Sequence, residues 1–261
     1  MKKVYKYFGL IIIMLCSFYY TDKIALMVQK NNPIMKQISK MKKQKETRSV
    51  NAIIEDNKII PGKNGIIINE SKSFSIMKSF GVFNSYYLVY EQKKPEISLE
   101  NNKDKIIYKG NKLNNNISLV LEYNENIISY LESKKIKANV LVDKENYMNI
   151  NYLELINNDF NNYNEMEIVL NRGKANKNIC YTNNKEYLNY CKKKKKYLVY
   201  SDLILSNDKV FEVKNKIENG RIIFIKKDTS IDTLKIILNQ IAFKDLKLVY
   251  LSEIISEENN K

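Results

Sequence analysis

The rhythm of apolar and polar positions changes several times along this chain. Lys2, Lys3 and Lys6 precede a run without a charge, Tyr7 to Tyr20, reading YFGLIIIMLCSFYY. A basic head before an apolar core is the pattern of a targeting or anchoring segment. As a helix the run spans about 21 Å, short of the roughly 30 Å of bilayer hydrocarbon. No small-x-small cleavage site follows, because Phe18, Tyr19, Tyr20 and Lys23 stand in the wrong places, and Leu15 is too bulky before Cys16 for a lipoprotein site. The expectation is an uncleaved transmembrane anchor over 1–22, with its tyrosines at the interface. Lys23, Lys30, Lys36 and Lys40 follow it, so the charge bias does not orient it.

Residues 23–48 are polar and Lys-rich, with Ile34, Met35, Ile38 and Met41 at helical spacing after Pro33. This predicts an amphipathic stalk helix. Over 49–112 the apolar runs shorten to Ala52–Ile54, Ile66–Ile68, Tyr86–Tyr90 and Ile106–Tyr108, separated by turn signals at Pro61-Gly62 and Lys63-Asn64-Gly65. Phe74, Met77 and Phe80 predict one short helix, with Gly81 as its cap. The stretch reads as a small α+β module. From Ile117 the pattern becomes regular. Strands are expected over 117–122, 137–142, 166–170, 197–200, 221–225 and 246–250, and helices over 125–134, 151–158, 184–191, 208–217 and 230–243. Continuous apolar runs between amphipathic stretches imply parallel strands covered by helices, in an open doubly wound sheet or a closed barrel. No G-x-G-x-x-G follows the first strand and no Walker motif occurs, so nucleotide binding has no support.

The 261 residues are 44% hydrophobic, enough for a substantial core. The net charge of +15 suits an anionic lipid surface, an acidic wall polymer or nucleic acid. The excess of Lys, Asn and Ile has a second reading, an AT-rich genome. No basic stretch carries the interleaved aromatics of a single-strand binding groove, so nucleic acid is not the expected partner. There is no histidine at all. That removes His-dependent triads and imidazole-ligated metal sites. Of three cysteines, Cys16 sits in the apolar run and Cys180 and Cys191 form a local pair without C-x-x-C spacing.

The order SLVLEY, ISYLESKKIKANVLVD, EMEIVLN, NGRIIFIKKD and LKLVYLSEI over about 115–255 resembles the polysaccharide deacetylase (NodB-homology) family. The pieces KKIKANVLV and LKLVYLSEI carry the likeness best, and NKIIPGKNG with MKSFGVFNSYYLVY resembles an accessory region of some anchored members. The resemblance implies a distorted (β/α) barrel over 113–258 that removes acetyl groups from sugars with a bound metal. Its first motif, two aspartates at a strand end, falls on Glu122 and Tyr123. Glu122 is the relic base position, and Tyr123 is a poor replacement for a carboxylate ligand. The two metal-binding histidines of the second motif fall on Asn171 and Ala175. The Arg-Pro-Pro motif would lie near Cys180, Tyr181 and Thr182 and is absent, and the last motif's histidine falls on Lys226. A lysine there would repel a divalent cation. The implied site holds no metal and no other cofactor, with Glu122, Tyr123, Asn171 and Lys226 left as candidates to bind substrate.

Three functions follow. The first is a catalytically silent, membrane-anchored deacetylase-like protein with a glycan-binding or envelope role, its body outside the cytoplasm. The second is an active carbohydrate amide hydrolase with a reorganised site. The third is a basic binder of anionic wall polymer or lipid. In an extracytoplasmic body Cys180 and Cys191 are expected to form a disulfide, the alternative being two small apolar residues in core positions.

Overall fold

The structure, a computed structural model, describes residues 2–148, 150–172 and 178–259. It opens with α1 (Lys2–Asn31) and α2 (Pro33–Lys45), followed by β1 (Ile53–Glu55), β2 (Lys58–Ile60), β3 (Gly65–Ile68), α3 (Glu70–Phe80), β4 (Tyr90–Lys93) and β5 (Ile106–Ile107). The regular region runs β6 (Asn116–Leu121), α4 (Glu125–Ser133), β7 (Ala138–Val142), β8 (Leu153–Asn157), α5 (Tyr163–Arg172), β9 (Ile179–Tyr181), α6 (Lys185–Lys193) and β10 (Tyr197–Val199). It closes with β11 (Leu203–Leu205), α7 (Val210–Lys216), β12 (Ile222–Ile225), α8 (Ile231–Phe243), β13 (Lys247–Leu248) and α9 (Leu251–Ile254).

The chain divides into two compact units, Met1–Arg48 with Gly65–Lys93, and Ser49–Asn64 with Lys94–Lys261. The expected module over 49–112 is therefore split. Its middle, 65–93, packs with α2, because Ile34, Met35 and Ile38 share a buried cluster with Ile68, Phe74, Met77 and Leu88. The region expected to be a stalk is thus a packed helix of the first unit. Pro33 opens it, and the Asn32 side chain accepts from the Ile34 amide. Helix α3 ends as expected at Gly81, whose φ of 70° places it in the left-handed region that favours glycine. Helix α1 runs past the expected anchor boundary to Asn31. Among the described residues no helix is long and apolar enough to cross a membrane.

The second unit has an α/β fold of two sheets. One is ordered β11-β12-β6-β7-β8, all parallel, with β13 also paired to β6. The other is ordered β1-β2-β5-β10-β9, parallel apart from the β1–β2 hairpin. Side-chain alternation along β6 divides two cores. Ile117, Leu119 and Leu121 face a layer built with α4, α5, α7 and α8. Val120 faces the opposite way, into a cluster shared with Ile59, Ile107, Tyr181 and Val199 of the other sheet. That second cluster is the interior enclosed between the two sheets.

Two expected elements exchange places. Residues 151–158, expected as a helix, form β8, and 166–170, expected as a strand, lie inside α5. The reason is burial. Every residue of β8 is buried, as a short strand covered on both faces requires. In α5, Tyr163, Met166 and Leu170 are buried at helical spacing while Ile168 stays exposed.

Strand β6 is forked. Its first residues pair with β13 and its last with β7. Asn139, fully buried at the fork, donates to Ser118 Oγ at 2.8 Å and to the Leu119 carbonyl at 2.6 Å, and accepts from the Leu251 amide at 2.7 Å. Glu154 on the neighbouring strand accepts from the Ser252 amide. Together these two side chains fasten the start of α9 to the sheet.

A candidate glycan groove at the strand ends

Parallel strands direct their carboxyl ends to one side, and ligands of such folds bind there, in the crevice between diverging loops. In this chain the side is marked by Glu122 after β6, Asn158 after β8 and Thr182 after β9. These residues line a groove of about 580 Å³ together with Leu141, Phe160, Asn183, Asn184, Glu186, Tyr187 and Phe224. The volume is in the range of small-ligand sites.

The floor is apolar. Tyr181, with no exposed surface, stacks on Phe224 with ring centroids 5.8 Å apart. Burial pushes the Tyr181 phenol well above its ordinary value, and Glu122 adds to the shift from nearby. The hydroxyl therefore remains protonated, and it donates to Asn183 Oδ1 at 3.0 Å. One wall is aromatic. Phe160 and Tyr187 stack 4.4 Å apart, their planes 13° from parallel, and Tyr190 meets Phe160 edge-on. The other wall is polar. Thr182 is buried and bonded to the backbone of Asn184, whose side chain caps α6 through the Glu186 amide. Of the groove residues, Asn183 has an amide nitrogen, Nδ2, that is buried with no acceptor among the described residues, whereas Asn157 shares the β8 face of Leu153 and Leu155, toward the helix-covered core. A buried donor left unpaired costs about 1–3 kcal/mol, so the Asn183 amide is ready for an acceptor such as a ligand hydroxyl or carbonyl.

Cys180 of β9 and Cys191 of α6 are joined by a disulfide, with Cα atoms 5.6 Å apart. The bond pins α6, and with it Glu186 and Tyr187, to the strand that supplies Thr182.

The sequence-derived candidates scatter. Glu122 is in the groove, half-buried, with one carboxylate oxygen accepting from the Lys227 amide at 2.7 Å. Tyr123 points the other way and packs on the helix-covered core, as strand alternation requires one residue later. Asn171 falls within α5 and not at a strand end, because the strand before it is β8. Ala175 lies outside the described residues. Lys226 is exposed after β12 and is not among the groove residues. Asn158, Phe160, Asn183 and Tyr187 were missed. Reading 153–157 as a strand would have exposed the Asn-rich loop carrying Asn158 and Phe160 as a strand-end loop.

The family's metal does not fit this groove. The chain has no histidine, Glu122 has one oxygen engaged, and Tyr123 is turned into the core. Among the described residues no three His, Cys, Asp or Glu side chains converge.

No family model matches the chain. An uncharacterized protein of Bacillus subtilis, YlxY, is 30% identical over 129 residues, covering 47% of this chain. The chain spans about 40% of the length of that relative. Among solved structures, BA3943 of Bacillus anthracis, described as a CE4 family pseudoenzyme, matches with a TM-score of 0.56 at 19% identity. The match covers 87% of this chain and 96% of that one. A BA3943 mutant described as having restored enzymatic activity matches with a TM-score of 0.53 at 16% identity, over 87% and 99% of the two chains. These likenesses establish the α/β fold of the CE4 polysaccharide deacetylases.

Proposed function

We propose that the protein is a non-hydrolytic member of the deacetylase fold that holds an envelope glycan in the strand-end groove, from a body tethered to the membrane by α1. The observation that carries this reading is the composition of the groove. Stacked Phe160 and Tyr187 offer a flat face to the apolar side of a sugar ring, and the Asn183 amide offers a donor to its oxygens. Glu122 is the one family catalytic position that keeps a carboxylate in the groove. A lone general base contributes about 10²–10⁴-fold, against at least about 10⁶-fold for enzymes in general.

The BA3943 comparison supports the same reading, since a protein of this fold exists as a pseudoenzyme. Two features support the location. The disulfide suits an oxidising compartment. Helix α1, with 30 residues, is about 45 Å long, and its described apolar side chains from Ile11 to Tyr20 are exposed.

The test is saturation-transfer NMR of N-acetylated chito-oligosaccharide with the purified protein. Transfer to the sugar ring protons is expected, and Tyr187→Ala, which removes the exposed ring of the stacked pair, is expected to weaken binding about tenfold, roughly the worth of one aromatic contact. Absence of transfer from the wild-type protein would defeat the proposal.

A further inference from the structure

We propose that the first unit carries a separate site for anionic phospholipid headgroups, a lysine-lined groove at the elbow between α1 and α2. This rests on the reading of α1 as a membrane tether and names the lipid that the tethered unit prefers.

Charge is unevenly shared between the two units. The first holds fourteen Lys or Arg against four Asp or Glu, a net +10 of the chain's +15. Within that unit a groove of about 680 Å³ is lined by Lys30, Lys36, Lys40 and Lys43, with Ser39 and Ser71 among them. The convergence follows from helix geometry. Lys36, Lys40 and Lys43 stand four and three residues apart on α2, along one stripe. Ile34 and Ile38, on the other side of α2, are buried in the unit's core, and Met35 lies at the groove's edge, so the lysines are held outward in one row. Lys30 joins them from the last turn of α1, across the turn at Asn32.

Among the described residues none of these four lysines has a carboxylate within ion-pair distance. Glu70, the groove's one acid, is already bonded to Ser39 Oγ at 3.2 Å and paired with Lys42 at 3.6 Å. Four like charges around one concavity repel each other, and an entering anion relieves that repulsion. Phosphate diesters suit such a row of ammonium groups, with the Ser71 hydroxyl as a further donor. The groove's position selects the lipid source. It opens at the C-terminal end of α1, ten residues past Tyr20, about 15 Å along the helix, and basic residues within about 15–20 residues of a membrane segment meet the headgroup layer.

The test uses the full chain in nanodiscs of phosphatidylcholine alone or mixed with phosphatidylglycerol, and spin-labelled lipids report relative association with the protein. Wild-type protein is expected to favour phosphatidylglycerol over phosphatidylcholine by at least about tenfold, in a salt-sensitive manner. Each headgroup lysine is worth roughly fivefold, so Lys36→Gln/Lys40→Gln/Lys43→Gln is expected to abolish the preference. The same charge change in the lysine run of the second unit, Lys192→Gln/Lys193→Gln/Lys195→Gln, is expected to leave it intact. Entry into both discs without lipid preference, or equal loss in the two variants, overturns the headgroup site while leaving the tether. Soluble glycerol-phosphate polymer competing as well as the lipid makes a wall polymer the ligand and also overturns it. Failure to enter either disc removes the tether and the headgroup site with it.

Discussion

Asn139 shows how a single polar side chain organises this fold. Without exposed surface, it donates twice to β6 and accepts once from the start of α9. Asn139→Ala would leave the Ser118 hydroxyl, the Leu119 carbonyl and the Leu251 amide short of a partner inside the protein. A loss of about 2–4 kcal/mol is expected, measured by urea unfolding. Glu154 works beside it but is ionisable. Burial raises its carboxyl above the ordinary 4.5, with the Ser252 contact opposing the shift. The native state therefore keeps the proton to higher pH than the unfolded chain does. Stability from this group is greatest in acid and falls as pH rises from about 4.5 through the folded value. Glu154→Gln removes that slope, so the variant is expected to gain on wild type steadily as pH rises over this window. A wild-type minus variant difference independent of pH would refute the assignment.

Tyr123 belongs to the same scale. Tyr123→Asp restores the family's acidic residue in name, but the position faces the helix-covered core. The variant is expected to lose about 1–3 kcal/mol of stability and to bind no zinc in equilibrium dialysis. Motif matching placed Glu122 in the groove because strand β6 is legible from its apolar run. It misread Tyr123's role because a motif of adjacent residues hides the fact that neighbours on a strand point apart.

At the scale of elements, the groove's aromatic wall depends on α6. Its nine residues are mostly polar and open a five-lysine run, 192–196, that continues past the helix, and its attachment is the Cys180–Cys191 bond with Leu188 and Phe160 around it. A disulfide closing a loop of this size is worth about 2–3 kcal/mol. Cys180→Ser/Cys191→Ser is expected to lower stability by about that amount. Hydrogen exchange should then quicken in 185–193 more than in β6 or β12. Local spacing made the cysteine pair legible, while the exchange of β8 and α5 shows what was not. A short run such as LELIN suits either a buried strand or a helix segment until its burial on both faces is known. That misreading shifted the second motif by one element and hid Asn158 and Phe160.

At the scale of the molecule, the parallel sheet with helical cover was legible from Ile117 onward. The partition of 49–112 was not, since it follows from which core each short strand joins. Residues 53–60 and 106–107 complete the second sheet around the interior, whereas 65–93 pack on α2. The division leaves separate tasks to the two units: an aromatic and amide-lined groove in one, and the basic elbow and apolar helix in the other.

The central claim is that the strand-end groove holds an N-acetylated glycan without cutting it. The most direct measurement incubates the full chain with N-acetylated chito-oligosaccharide and added zinc, cobalt or nickel, and follows sugar binding and acetate release in the same NMR sample. The account predicts saturation transfer from the protein to the sugar, no acetate above the buffer control with any metal, and no change in transfer when metal is added. Acetate release that is abolished by Glu122→Gln would contradict it.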